Sequence, residues 1–202
     1  MRRIKLPQYT WTLVQRLANK SNPLVLWKRS SGRPGNFKNE ITIELKKAQD
    51  KRCAYCGSHL FEEFPHRDHI APKEFYSQWT FLPENLVLAC FACNTDRKKT
   101  YNPISVLRSK YKRCTFNFVH PYFDNPDTHL EFVGDASGII VRHKSSKGDA
   151  TIRLFDLASP ERTKQRAKDA LTDAAASKLH GKWLKLFKDV SLSATGLILI
   201  PR

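Results

Sequence analysis

An α+β fold arranged round a metal-stapled middle is what this sequence predicts, and three observations carry the prediction. Two CxxC pairs, Cys53-Ala54-Tyr55-Cys56 and Cys90-Phe91-Ala92-Cys93, bracket a segment rich in polar chemistry. Helical spacing dominates before that segment. Short strand-like runs separated by turns, then one long helical pattern, follow it. A chain of 202 residues suits one domain with an extension, or two small domains. Three regions are expected: a basic helical segment over 1–48, a metal-rich core over 49–101, and an accessory, partner-docking region over 102–202.

Within the first region, Trp11, Leu13, Val14, Leu17 and Ala18 recur at roughly helical intervals, and Asn22-Pro23 stops or bends that pattern. Leu24-Val25-Leu26-Trp27 is too brief to read as helix or strand. Ser30-Ser31-Gly32-Arg33-Pro34-Gly35 reads as a flexible loop with basic flanks. Residues 37–48 read as a helix that delivers the chain to Cys53, with Ile41, Leu45 and Ala48 on one side. Beyond the core, Pro121, Asp124-Asn125-Pro126-Asp127 and Gly134-Asp135-Ala136-Ser137-Gly138 mark turns. Residues 130–133 and 139–142 read as a hairpin about the last of these, and residues 150–155 as another strand. Ser159 is an N-cap with Pro160 at the first helical position, and that helix should run to about Asp189 although Gly181 weakens it. Its Leu171, Ala175, Leu179, Trp183 and Phe187 should pack, under a solvated basic surface. Residues 197–200 suggest a last strand.

Lysine and arginine number 35 against 19 acidic residues, a formal net charge of +16 with a sequence pI of about 9.8. Such an imbalance adds nothing to a fold. It attracts polyanions, of which phosphate backbones are the commonest. No secretory signal or membrane-length apolar run is visible, so a cytoplasmic protein without a membrane partner is expected. Five cysteines is an odd count, and four fall in matched CxxC pairs. Without export signals that pattern means metal rather than disulfide. Cys114 is left as a small buried residue. Four thiolates from two tight turns complete a tetrahedral zinc sphere with no open position, so this zinc is structural.

Between the knuckles lie Asp68-His69-Ile70-Ala71-Pro72 and Asn85, and Asn94 and Arg97 follow Cys93. Neighbours on a strand point to opposite faces, so a bend near Pro72 is needed if Asp68 and His69 are to border one cleft. Asp68 offers a hard oxygen to a divalent ion. His69 as a neutral imidazole can take a proton from water. Asn85 is placed to orient that ring through a hydrogen bond. Asn94 offers a second oxygen to the ion, and Arg97 and Lys98 offer a positive edge for phosphate.

At these residues the chain resembles the HNH endonuclease family in its zinc-stapled branch, whose fold is a ββα-metal unit. The resemblance rests on CxxC, then DHxxP over Asp68 to Pro72, then Asn85, then CxxC followed at once by Asn94. It implies that His69 is the general base, that Asp68 and Asn94 bind magnesium or a similar ion, and that Asn85 orients His69. The family's final histidine is Asn94 here, and Arg97 stands where a lysine is usual. A broader likeness links Met1-Arg2-Arg3-Ile4, the Trp27 region, Phe118 to Asp124 with His129, and Thr151-Ile152 with Leu157 and Arg162 to HNH proteins of bacterial retron and Septu anti-phage systems. It implies an effector nuclease working beside an ATPase partner. His120, Asp124 and His129 form a second polar group that reads as packing. A non-catalytic zinc-stapled nucleic-acid-binding or scaffolding subunit remains the rival reading.

Overall fold

The computed structural model describes residues 4, 5, 17, 22–60, 65–134, 138–178 and 181. The helical pattern over 11–18, Leu17 apart, lies outside them. So do the strand over 197–200 and the side chains of Leu179, Trp183 and Phe187.

Helix α1, Pro23–Lys28, settles the short apolar run as helical. Asn22 adopts a left-handed conformation and its side chain accepts from the Val25 amide, while Pro23 fills a position that needs no N–H. Helix α2, Gly32–Ala48, begins inside the stretch expected to be a loop. Pro34 is tolerated because it lies in the first turn, where amides have no intrahelical partner. Gly35 is required because the chain folds back there: a Cβ would stand 2.2 Å from the Ser30 carbonyl oxygen. Phe37, Ile41 and Leu45 form the buried face of α2.

Gln49, just past α2, acts as an extra strand residue. Its side chain donates to the Leu88 carbonyl and accepts from the Leu88 amide, each at 2.8 Å. That fixes α2 against β2. Strands β1, His66–His69, and β2, Leu86–Ala89, pair antiparallel, with Asp68 opposite Val87 and His69 opposite Leu86. All four β2 residues are buried, so this hairpin lies at the centre of the core. The first knuckle docks on it through the Ala54 amide and the Leu88 carbonyl at 3.0 Å. A π-helix, Ala92–Lys98, follows β2.

The rest of the described chain packs against this centre. Strands β3, Ile104–Val106, and β4, Thr115–Phe116, form one small ladder. After the short helix α3, Pro126–His129, strands β5, Leu130–Val133, and β6, Ile140–His143, form the expected hairpin. Helix α4, Ser146–Phe155, replaces the strand expected over 150–155. Ser145 caps it by accepting from the Gly148 amide, and Phe155 stacks on Tyr55 of the first knuckle with centroids 4.2 Å apart. Helix α5, Pro160–Ser177, starts at the expected Ser159 cap. Its Leu171, expected to pack, is 73% exposed, and Ala175 is exposed too. His120 and Asp124 do meet, the His120 amide donating to Asp124 Oδ2 at 2.7 Å, whereas His129 bonds Ser145 instead.

Candidate active site and metal centre

The Asp-His step works because β1 ends at His69 and the chain turns there. Asp68 and His69 are both 5% exposed, and both line one cleft of about 360 Å³ together with Trp27, Arg67, Lys73, Asn94 and Lys99. The bend is held from inside by Lys98, whose ammonium donates to the His69 carbonyl at 2.7 Å and to Asp68 Oδ1 at 3.1 Å. Asp68 Oδ2 accepts from the Tyr55 hydroxyl. Burial pushes the Asp68 carboxyl above the ordinary carboxylate range, against the pull of Lys98 and Tyr55. Each carboxylate oxygen retains a second lone pair, so the group fits a hard cation in the cleft.

His69 is set by a backbone carbonyl. Its Nε2 donates to Thr80 O at 2.9 Å, which leaves Nδ1 as the lone-pair nitrogen. The Trp27 ring packs against it in an edge-to-face arrangement, with centroids 4.5 Å apart. Burial drives the ring down to about 3, although the Thr80 bond pulls the other way. The imidazole is therefore neutral at physiological pH, the state a proton acceptor needs.

Asn85 holds this arrangement one step further out than expected. Its Oδ1 accepts from the Ala71 amide at 2.7 Å and from the Tyr111 hydroxyl at 3.0 Å. Its Nδ2 donates to the carbonyls of Ala71 and Trp79 at 3.0 and 3.2 Å. All four bonds go to groups other than the His69 ring. Asn85 instead ties Ala71, two residues after His69, to Trp79, the neighbour of Thr80. The orienting bond itself belongs to Thr80, which no side-chain motif could have revealed.

Asn94 faces the same cleft, and its Nδ2 meets His66 Nδ1 at 3.0 Å. The two residues expected to form a phosphate-binding edge behave differently. Arg97 pairs with Asp156 at 2.7 Å and is not among the residues lining the cleft. Lys98, only 1% exposed, points inward to Asp68. Both lie on the π-helix, whose Lys99 amide bonds the Asn94 carbonyl in an i→i+5 step. Arg67, Lys73 and Lys99 are further basic groups at the cleft.

The four knuckle sulfurs of Cys53, Cys56, Cys90 and Cys93 lie within 4.8 Å of one another, and Cys56 and Cys90 are 3.9 Å apart. A tetrahedron with Zn–S bonds of ~2.3 Å has edges of about 3.8 Å, so the cage fits zinc. Hydrogen bonds from Cys53, Cys90 and Cys93 hold the Cys56 thiol well below its ordinary range. Cys114 lies apart from this cage and is buried, as expected.

Comparison with known proteins agrees with this geometry. Residues 53–100 match the family model described as HNH endonuclease. The chain is also 30% identical over 149 residues to the Septu protein PtuB of Bacillus mycoides (strain KBAB4). That alignment covers 62% of this chain and 49% of the relative, so the chain spans about half the length of the curated relative it matches. No helix among the described residues is long and apolar enough to cross a membrane. The knuckles, the β1–β2 hairpin and the π-helix thus make up the segment that matches the HNH endonuclease family, in a chain that resembles a Septu protein.

Proposed function

We propose that this protein is a metal-dependent endonuclease that hydrolyses phosphodiester bonds in nucleic acid, with DNA as the favoured substrate. The observation that carries the reading is the shared cleft. A neutral histidine, a carboxylate and an amide border one opening that also presents Arg67 and Lys73. His69 Nδ1 takes the proton of the attacking water, while Thr80 O stabilises the imidazolium that forms. Asp68 and Asn94 hold a divalent ion, magnesium or one like it. Such an ion, when bound, offsets charge on the scissile phosphate and on the leaving oxygen. Arg67 and Lys73 hold the phosphates flanking the cut. Asn85 keeps the His69 turn and the Thr80 carbonyl in register. Zinc on the four cysteines is structural.

The likeness to a Septu protein supports a role as nuclease effector in anti-phage defence. We infer an ATPase subunit as its partner there, with the region over 102–202 contributing to docking. The test is a plasmid-nicking assay with magnesium, run with and without the partner. His69→Ala should fold, retain zinc, and lose roughly 10²–10⁴-fold in cleavage rate. Cleavage by His69→Ala at the wild-type rate would remove the histidine from the chemistry. Tight nucleic-acid binding with no cleavage by wild type, alone or partnered, would favour a non-catalytic binding subunit.

A further inference from the structure

Arg162, in the first turn of α5, reaches back over more than a hundred residues of sequence to the cysteine cage. One terminal nitrogen lies 3.5 Å from Cys56 Sγ and 4.0 Å from Cys90 Sγ, and the other lies 3.3 Å from Cys93 Sγ. One planar cation therefore spans three of the four sulfurs. Nothing in the nuclease reading uses it. The same helix grips the first knuckle from its other side. Asp173 accepts from Arg52 NH2 at 2.5 Å and lies 3.0 Å from His59 Nε2, and Arg52 in turn donates to the Gly57 carbonyl at 3.1 Å. Two separate contacts thus seat α5 on the metal-binding turns.

Charge gives that seat a purpose. A divalent ion in four thiolates carries a net charge of about −2. Left half-buried without a counter-charge, such a group is costly. A guanidinium suits the site better than an ammonium, because its fork can meet several acceptors at once. We propose that Arg162 is the counter-cation of the zinc centre, and that the accessory helix serves to retain the metal of the nuclease core. This rests on the zinc reading of the four cysteines and is independent of cleavage.

The experiment measures zinc content of the purified full-length protein, then zinc affinity by competition with a chromogenic chelator. Wild type should hold one zinc. Arg162→Met keeps length and apolar packing but removes the charge, and should weaken zinc binding ~10–100-fold. Arg162→Lys should recover most of that loss. Asp173→Asn, which loosens the seat of the helix without touching the sulfurs, should bind zinc less tightly than wild type and no more weakly than Arg162→Met. Equal zinc affinity in wild type and Arg162→Met overturns the proposal while leaving the zinc reading intact. A lysine variant as weak as the methionine variant, or an asparagine variant weaker than the methionine variant, also overturns it, because shape or docking alone would then be responsible. If Arg162→Met does not fold, the lysine variant decides against wild type: near-equal affinity supports the proposal, and a hundredfold loss overturns it. A wild-type protein without zinc overturns both readings together.

Discussion

Asn85 satisfies both its amide groups with four buried hydrogen bonds, so its removal strands several polar partners at once. Each stranded buried group costs about 1–3 kcal/mol, so Asn85→Ala should destabilise the fold by on the order of 3 kcal/mol. Tyr111→Phe removes one donor and should cost about 1 kcal/mol. Urea titration checks both, and equal losses in the two variants would refute the stapling role. His120 belongs to the same chain of contacts. Its Nδ1 accepts from the Tyr122 amide and its Nε2 meets the Tyr111 hydroxyl at 3.0 Å. Burial pushes this ring down to about 3, so the folded state resists a proton that the unfolded state takes up near 6.5. Stability from this group is complete above 6.5 and is lost as pH falls from there towards 3. Between pH 7.5 and 5.5 the loss from His120 is about 1.4 kcal/mol. Denaturation curves of zinc-loaded protein at the two pH values should show it, and His120→Gln should show a smaller difference. A ring that titrates near 6.5 by NMR in the folded protein would contradict the assignment.

At the scale of elements, helix α4 shows how a local pattern can mislead. Thr151 and Ile152 are β-branched and favour a strand, yet the segment is helical because Ser145 caps it and Gly148 lets it approach α3. A Cβ on Gly148 would sit 1.9 Å from the His129 carbonyl oxygen. Gly148→Ala should therefore cost about 2 kcal/mol, lowering Tm by roughly 4–8 °C. An unchanged Tm would mean that α3 yields freely. The features legible in the sequence were those fixed by covalent spacing or by local capping: the CxxC turns, the Asp68-His69 step, the Ser159 start and the 130–143 hairpin. Those that were not depend on partners far along the chain. Gln49 on β2, Arg162 on the sulfurs and Thr80 on His69 are long-range bonds with no short motif. Likewise Lys98 is turned inward by its long-range pair with Asp68, and Arg97 outward by its pair with Asp156.

For the molecule as a whole, two quantities dominate behaviour in solution. One is the zinc. Structural sites of this kind contribute ~10–16 kcal/mol, as much as or more than the ~5–15 kcal/mol that holds a typical domain. The sulfurs come from the first knuckle, the residue just after β2 and the π-helix, so chelation should unfold the whole hairpin centre rather than one loop. Hydrogen exchange should then lose protection across 66–69 and 86–89 together. The other is charge. For the nucleic-acid substrate proposed above, a net +16 on 202 residues would make the phosphate backbone the main source of affinity, through release of counterions. Under the proposed function, Arg67, Lys73 and Lys99 at the cleft would supply a few of these contacts, and the remaining basic surface would engage phosphates on either side. With roughly six phosphates neutralised, affinity should fall on the order of 10³-fold between 50 and 200 mM salt. Cleavage would confuse that measurement, so the binding titration belongs on His69→Ala with magnesium and zinc present. Arg67→Ala and Lys73→Ala should each reduce the slope of log affinity against log salt by about one. A slope near zero would place recognition in apolar or base contacts, and would leave the excess positive charge of this chain without a role.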